Sequence, residues 1–499
     1  MSNAKEMDVK VKFGLKSFIT VVALLFAVLI AVGVLTYVIP AGKYQTYTTD
    51  VDLANSDPFY VYTTNAELNK QIVPNSYKLL TEEQNGSRLA WWRWILAPFE
   101  AVILGSSAGN EIVIIVLLLV LGGTFKVLES SGGLVSLVRI LIEKLHKQRF
   151  LMIWVITLVI MILSAVFGLQ EQLLILYPVF AMLCVAMNWS KFTAISFVLI
   201  SSGVGFTTAI SNPLTIGMAS SVAGTQITDG MGYRFIIFAV MYVLTSLFLV
   251  AMAKRDEAKA TEKFDIAGFT LSTPEEHKQD QYKAKLIVIL FGIALFAVVA
   301  SSIVNLMLPK PNATITMVAM AVAFIVGTVV IGKKLLGSFK EMGKQFVAGL
   351  KDVAPSIVII MVAFGITYIA DRGNIMHTIF NYFHNLVMTM NPYVSVLLMY
   401  ALVLIVEFFI PSASAKAVLI IPMLTVTEIA GISKSVIILT YLFADGYTNV
   451  LFPTCGTLLV GLGLADVSYA QWFKKTILFQ LVLMALSVGF LMLAVALGM

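Results

Sequence analysis

The residues of this chain best placed to do chemistry are Lys416 and Asp445, each an ionisable side chain set within or beside a long apolar run. They share one stretch, Glu407 to Thr457, which reads EFFIPSASAKAVLIIP and, after a short polar break, YLFADGYTNVLFPTCGT. A charged side chain at mid-bilayer costs about 2.5–3.5 kcal/mol on insertion scales, so it usually faces a partner or a cavity. Knots of Pro, Gly, Ser, Thr and Asn surround Lys416 and Asp445 where a membrane helix should still be helical. Irregular backbone at that depth persists only where protein or water satisfies its N–H and C=O groups. Many secondary transporters build a midplane binding site from broken helices of this kind. The stretch reads as half of such a site.

Composition sets the surroundings that these residues need. Of 499 residues, 59% are hydrophobic and 12% charged, with a mean hydropathy of +0.91. Soluble proteins carry about 25% charged residues, so the chain reads as an all-α polytopic membrane protein. The net charge of +6 comes from Lys and Arg in short loops, where they orient spans, and is no nucleic-acid footprint. Cys184 and Cys455 lie in apolar surroundings and read as buried thiols. The four histidines, His146, His277, His377 and His384, show no metal spacing. No HExxH, GxSxG or paired aspartates supply an enzyme's nucleophile or metal, and no GxxxxGK[ST] supplies a nucleotide site. No cofactor is expected, and transport must run on gradients or exchange. Polar breaks can also line a channel, but no ring-forming filter motif is visible.

Lys5, Lys10, Lys12 and Lys16 precede an uncharged run, Ser17 to Ile39, which places the N-terminus inside. Residues 41–90, poor in Lys, fall outside, and Trp91-Trp92-Arg93-Trp94 suits the membrane interface. Asn110 to Leu128 returns inward to a basic amphipathic segment near 135–150. Two apolar runs of about 15–17 residues, 151–167 and 173–187, flank the polar tip 168–172. Basic residues at both bases allow two full spans or one re-entrant hairpin, and the mid-run tip favours the hairpin. Residues 192–222 are a span interrupted at 203–215, Phe235 to Met252 leads inside, 254–285 is a charged cytoplasmic linker, and Leu286 to Met307 crosses outward. Ala313 to Ile331 then goes in, to Lys333, Lys334, Lys340 and Lys344 on an amphipathic segment, and Pro355 to Ala370 goes out. A second hairpin, 391–430, has its tip at 411–417, a broken span covers 435–462, and Ile477 to Leu497 ends outside.

The halves match by spacing. Ser190-Lys191 and Ser433-Lys434 stand 243 residues apart, Pro178 and Pro422 stand 244 apart, and Pro213 and Pro453 stand 240 apart. One extra span separates them, so the second half enters the membrane the opposite way round, an inverted repeat of the kind that holds substrate at its interface. The expected plan is nine spans and two hairpins. The first repeat is 1–253 (hairpin 151–188, broken span 192–222), the linker and extra span are 254–311, and the second repeat is 312–499.

Four motifs in order, FGLQEQLLILYP, AISNPLTIGMA, FFIPSASAKAVLIIP and FADGYTNVLFPTCG, resemble those of the YfcC-type carriers. These are grouped with arginine–ornithine antiporters and four-carbon dicarboxylate anaerobic carriers in the ion-transporter superfamily. The resemblance implies a bacterial inner-membrane carrier of the elevator type, in which hairpin tips and broken helices carry a small-molecule substrate while scaffold spans form a homodimer. It maps the first tip to Gly168–Gln172, the first break to Ser211–Thr215, the second tip to Pro411–Lys416 and the second break to Asp445–Thr454. Related carriers have a tip of the PSGSGQA kind. Here Ala413, Ala415 and Lys416 depart from it, so that the Lys416 ammonium stands where relatives would hold a coupling cation, paired with a carboxylate such as Asp445 or Glu171.

The substrate-binding candidates are Gln170, Glu171, Gln172, Thr207, Ser211, Asn212, Pro213, Ser412, Ser414, Lys416, Asp445, Thr448, Asn449 and Thr454. Several could equally serve to satisfy broken backbone. Glu171 reads as a site residue rather than a solvated turn glutamate. Glu407 is either a packing or a functional residue. Glu111 and Glu428, near span ends, read as interfacial. Glu171, Glu407 and Asp445 outnumber Lys416, which favours a cationic ligand, and the arginine–ornithine resemblance points the same way. The expectation is exchange of basic amino acids. A dicarboxylate carrier coupled to protons or sodium is the alternative, because helix N-termini can bind anions without basic side chains.

Overall fold

The computed structural model describes residues 15–64, 73, 76–81, 84–105, 108–145, 148–260, 274–307, 313–387, 389–411, 413, 416–417, 420–421, 424 and 432–499. The chain is mostly helical. Besides the short helix Val51–Ser56, the described helices of the first half are α1 (Leu15–Val38), α2 (Ala97–Leu104), α3 (Ala108–Ser130), α4 (Gly133–Leu145), α5 (Arg149–Phe167), α6 (Tyr177–Ala186), α7 (Lys191–Thr207), α8 (Met218–Ala223) and α9 (Met231–Lys259). Those that follow are α10 (Pro274–Leu306), α11 (Ala313–Leu336), α12 (Phe339–Arg372), α13 (Ile375–Val387), α14 (Pro392–Phe409), α15 (Lys434–Asp445), α16 (Gly456–Leu464) and α17 (Tyr469–Ala496). Polar caps start the helices that surround the breaks. Ser190 takes the Thr193 N–H at 3.2 Å and Ser433 the Val436 N–H at 3.3 Å, each satisfying a donor that a helix start leaves unpaired.

The helices pack in two groups. In one, α12 runs along α1, α2 and α3, while α11 joins α3 to α10 and α10 joins α4. In the other, α5, α6 and α9 surround α7, and α14 and α17 surround α15. Small residues let α3 and α12 cross closely: a Cβ on Gly349 would stand 2.1 Å from the Gly122 carbonyl oxygen.

Polar contacts mark two opposite ends of the second group. At one end Arg149 Nε donates to Glu257 at 2.8 Å and Trp189 Nε1 to the same carboxylate at 2.9 Å. Ser190 Oγ donates to Asp256 there at 2.7 Å. At the other end Lys434 Nζ donates to the Ala223 carbonyl at 2.8 Å, and Met499 lies beside Gly230. Helix α9 runs between these ends, so α7 and α15 enter the molecule from opposite sides.

Some features add to the sequence reading. The segment after α1 carries short strands to which the sequence reading assigned no structure: Gly42–Lys43 pairs antiparallel with Lys78–Leu79, and Thr46–Thr48 pairs parallel with Tyr60–Tyr62. Seven unbroken helices among the described residues are long and apolar enough to cross a membrane: Glu111–Ser130, Arg149–Phe167, Met231–Lys259, Glu275–Ser301, Met317–Leu336, Pro392–Phe409 and Tyr469–Ala496, with the bent α12 as an eighth when counted as one span. Two of these are first arms of the expected hairpins. At 19 and 18 residues they exceed the expected arm length, and at 1.5 Å per residue each is roughly 27–29 Å long, enough to traverse a bilayer core. Finally, the basic segment before Pro355 and the span after it form the single helix α12, bent by 42° just past the proline. The proline ring removes a backbone donor and kinks the helix without ending it.

Candidate functional site

A cavity of about 370 Å³ lies between the two helix groups. From the first group come Glu111 of α3, Ile360, Phe364 and Asp371 of α12, and His377 of α13. From the second come Gln170 and Glu171, Asn449, and Cys455 to Thr457 at the start of α16. Pro411 and Ala413 close one side.

The chain reaches this cavity because helices stop at it. Helix α5 ends at Gly168, whose φ of +73° is a left-handed cap, open to glycine without strain. The next residues turn into a 3₁₀ segment, Glu171–Leu176, that carries Glu171 to the cavity wall. The end of α5 is stitched to the first break, with Ile210 N–H donating to the Ala165 carbonyl at 2.8 Å. In the second half α15 ends at Asp445, a 3₁₀ turn covers Tyr447–Val450, and α16 restarts with its first turn at the cavity. The two breaks meet directly, since a Cβ on Gly446 would fall 2.1 Å from the Thr207 nitrogen.

Three sets emerge from the residues singled out by sequence. Gln170, Glu171 and Asn449 line the cavity. Asn449 Nδ2 donates to Gln170 Oε1 at 3.1 Å, joining the first tip to the second break. Glu171 lies within hydrogen-bonding reach of Thr457.

A second set satisfies backbone. Asn212 Oδ1 accepts from Leu214 N–H at 2.8 Å and its Nδ2 donates to the Ser164 carbonyl at 3.4 Å. Pro213 opens a π-helical turn, Pro213–Gly217. Ser211 Oγ donates to the Val166 carbonyl at 3.3 Å, Thr207 Oγ1 to Gly203 at 2.9 Å and Thr448 Oγ1 to the Asp445 carbonyl at 3.1 Å. Thr454 is buried, and its hydroxyl has no hydrogen-bond partner among the described residues.

The third set is ionic. Lys416 Nζ donates to Asp445 Oδ1 at 2.5 Å and makes an ion pair with Glu407. Of the two partners expected for Lys416, Asp445 is bonded to it and Glu171 is not among its ion pairs. Glu407 is the second carboxylate. All three are fully buried, and none lines the cavity. Ser412, Ser414 and Glu428 lie outside the described residues, and of Gln172 only the backbone is described.

Sequence reading missed other members. Glu111, read as interfacial, is 8% exposed and lines the cavity. Its Oε2 has no hydrogen-bond partner among the described residues. Asp371 and His377 join it there. The one signal for Glu111 was a lone carboxylate opening an otherwise apolar run. Arg234 was missed as well. Its buried guanidinium donates to the carbonyls of Asp229 at 2.6 Å and Ile210 at 3.2 Å, and so holds the first break in place. No group of His, Cys, Asp and Glu suited to a metal ion occurs among the described residues.

Multiple apolar spans, helices broken inside the protein and a largely apolar cavity with a few polar and acidic groups between two helix groups define a polytopic membrane carrier of small solutes. The chain belongs to the C4-dicarboxylate anaerobic carrier family, which it matches over residues 18–497. It is 22% identical over 473 residues to the "Putative basic amino acid antiporter YfcC" of Escherichia coli (strain K12), covering 90% of this chain and 91% of that one. It is 23% identical to an uncharacterised protein of Haemophilus influenzae, covering 94% and 95%. The resemblance to YfcC-type carriers thus holds along the chain. Among solved structures, the Alcanivorax borkumensis YdaH transporter aligns with a TM-score of 0.41 at 18% identity, covering 82% of this chain and 88% of that one. Neisseria gonorrhoeae MtrF, described as an antimetabolite efflux pump, aligns with a TM-score of 0.40 at 14% identity, covering 94% of each chain.

Proposed function

We propose that this secondary carrier exchanges basic amino acids of the arginine and ornithine type. The observation that carries the reading is the charge of the cavity wall. Glu111, Glu171 and Asp371 line it, with no Lys or Arg among the described lining residues. In a cavity of low dielectric such a wall attracts a cation and repels a dicarboxylate. Asp445, an alternative partner for the substrate cation, is engaged by Lys416, which leaves Glu171 and Glu111 for that role. The first turn of α16, at Gly456 and Thr457, offers backbone N–H groups to the α-carboxylate. A cavity of this size suits one small solute. The name of the Escherichia coli relative agrees with the reading, and the family description supports dicarboxylates as the second candidate.

The two halves form inverted repeats in this proposal, with α7 and α15 as their broken helices, and the hairpin group slides as a body against the α3–α12 group. Protein reconstituted in liposomes and loaded with ornithine is expected to take up labelled arginine. Glu171→Gln is expected to lose that uptake while eluting and melting as the parent does. Uptake of succinate or fumarate unaffected by excess arginine reverses the choice of substrate.

A further inference from the structure

We propose that Glu407, Lys416 and Asp445 form a proton-binding site that couples the carrier to a pH gradient. One proton joins the cluster while the cavity is empty and leaves when a cationic solute binds. The inference rests on the basic amino-acid reading above.

Two carboxylates flank one ammonium here, a formal charge of −1, with exposures of 1% for Glu407 and 0% for both Lys416 and Asp445. An excess charge held that far from water is costly and favours capture of a counter-charge. Asp445 Oδ2 has no hydrogen-bond partner among the described residues, so an acceptor stands open. A metal cation would need several oxygens at once, yet Lys416 Nζ already occupies the point between the carboxylates. A proton fits without displacing it.

Among the described residues, few other titratable groups face the cluster. The Tyr441 ring of α15 lies 5.9 Å from Lys416 Nζ. The Cys455 thiol, just before α16, is close enough to interact with Lys416. Glu171, on the first hairpin tip, feels the charge of Asp445. Tyr400 and Tyr447 bond to each other through their hydroxyls.

The cluster and the cavity share a wall: Pro411, Ala413 and Cys455 line the cavity, and Cys455 interacts with Lys416. Tyr441 Oη donates to the Ala413 carbonyl at 2.6 Å while its ring faces the ammonium. A cation held by Glu171 and a proton on Asp445 or Glu407 therefore repel each other across that wall, and one displaces the other. The step is a proton transfer alone. A carboxylate O–H bond forms with a proton from water on one side of the membrane, and the same bond breaks to return it to water on the other.

The test uses purified full-length protein in liposomes that contain the pH dye pyranine, with labelled arginine counter-flow followed in parallel. Arginine entry into vesicles without internal amino acid is expected to raise the internal pH as protons leave. Glu407→Gln makes the cluster neutral and touches no part of the cavity. It is expected to keep arginine–ornithine exchange and to lose the pH change. Arginine entry with no pH change in the unaltered protein overturns the proposal, and so does a pH change that persists in Glu407→Gln. If that variant does not fold, Asp445→Asn is judged by the same loss of pH change, and the unaltered protein alone still decides whether a proton moves. A failure of labelled arginine counter-flow counts against the substrate reading instead, and the dye measurement is then made with whichever solute is taken up.

Discussion

The imidazole of His377 lines the cavity while its Nδ1 accepts the Tyr44 backbone N–H at 3.3 Å. Burial, with the nearby Lys43 charge second, lowers its pKa to about 4. The folded protein therefore keeps this ring neutral in conditions where an unfolded chain would protonate it near 6.5. The unfolded state binds the extra proton, so the contribution of His377 to stability is whole above pH 6.5 and is lost as the pH falls from there toward 4. Melting temperature in detergent should drop across that window, and His377→Gln should make the drop shallower. An equal slope in the variant would show that the histidine plays no part. His377, Asp371 and Glu111 escaped the sequence reading for one reason. They come from α13, α12 and α3, and only packing of the two groups brings them to Glu171. Lys416 and Asp445 were legible because a charge inside an apolar run demands a partner, although the sequence left Asp445 and Glu171 both open as the partner of Lys416 and did not assign Glu407 to it.

At the scale of elements, the breaks were legible where Gly, Pro and Asn cluster within apolar runs, since together they disfavour continued helix. Helix α12 was not, because its basic first half and Pro355 read as a boundary when they mark a bend. What spacing cannot state is that the ends of α7 and α15 touch. Gly446 has φ −73°, a value any residue adopts, so its requirement is for space alone. Gly446→Ala would push a methyl group into the Thr207 backbone. Overpacking of this kind costs about 1–3 kcal/mol or more. The variant is expected to melt lower and to lose uptake. Unchanged melting and transport would mean that the two breaks stand further apart than the packing described.

For the whole molecule, the opposite entry of α7 and α15 requires the ends of α9 to lie on opposite sides of the membrane. Lys259 closes α9 at the end marked by Asp256 and Glu257. Ser56, an exposed residue of the segment after α1, belongs to the side where Tyr44 docks on α13. Cysteines placed at these two positions should react with an impermeant reagent from opposite faces. Reaction of both from one face would remove the basis for the inverted plan.

The carboxylates of Asp256 and Glu257 tie the last turn of α9 to the base of α5 and the cap of α7, whereas α10 belongs with α4 and α11. Two connections therefore join the helix groups in this part of the chain, residues 146–148 before α5 and residues 261–273 after α9. Under the sliding motion proposed above both must span the displaced ends, and the shorter sets the limit: three residues cover at most roughly 10–11 Å at ~3.3–3.6 Å each. Shortening the longer connection by a few residues should then leave both solute affinity and translocation unchanged, whereas lengthening the shorter one should alter translocation alone.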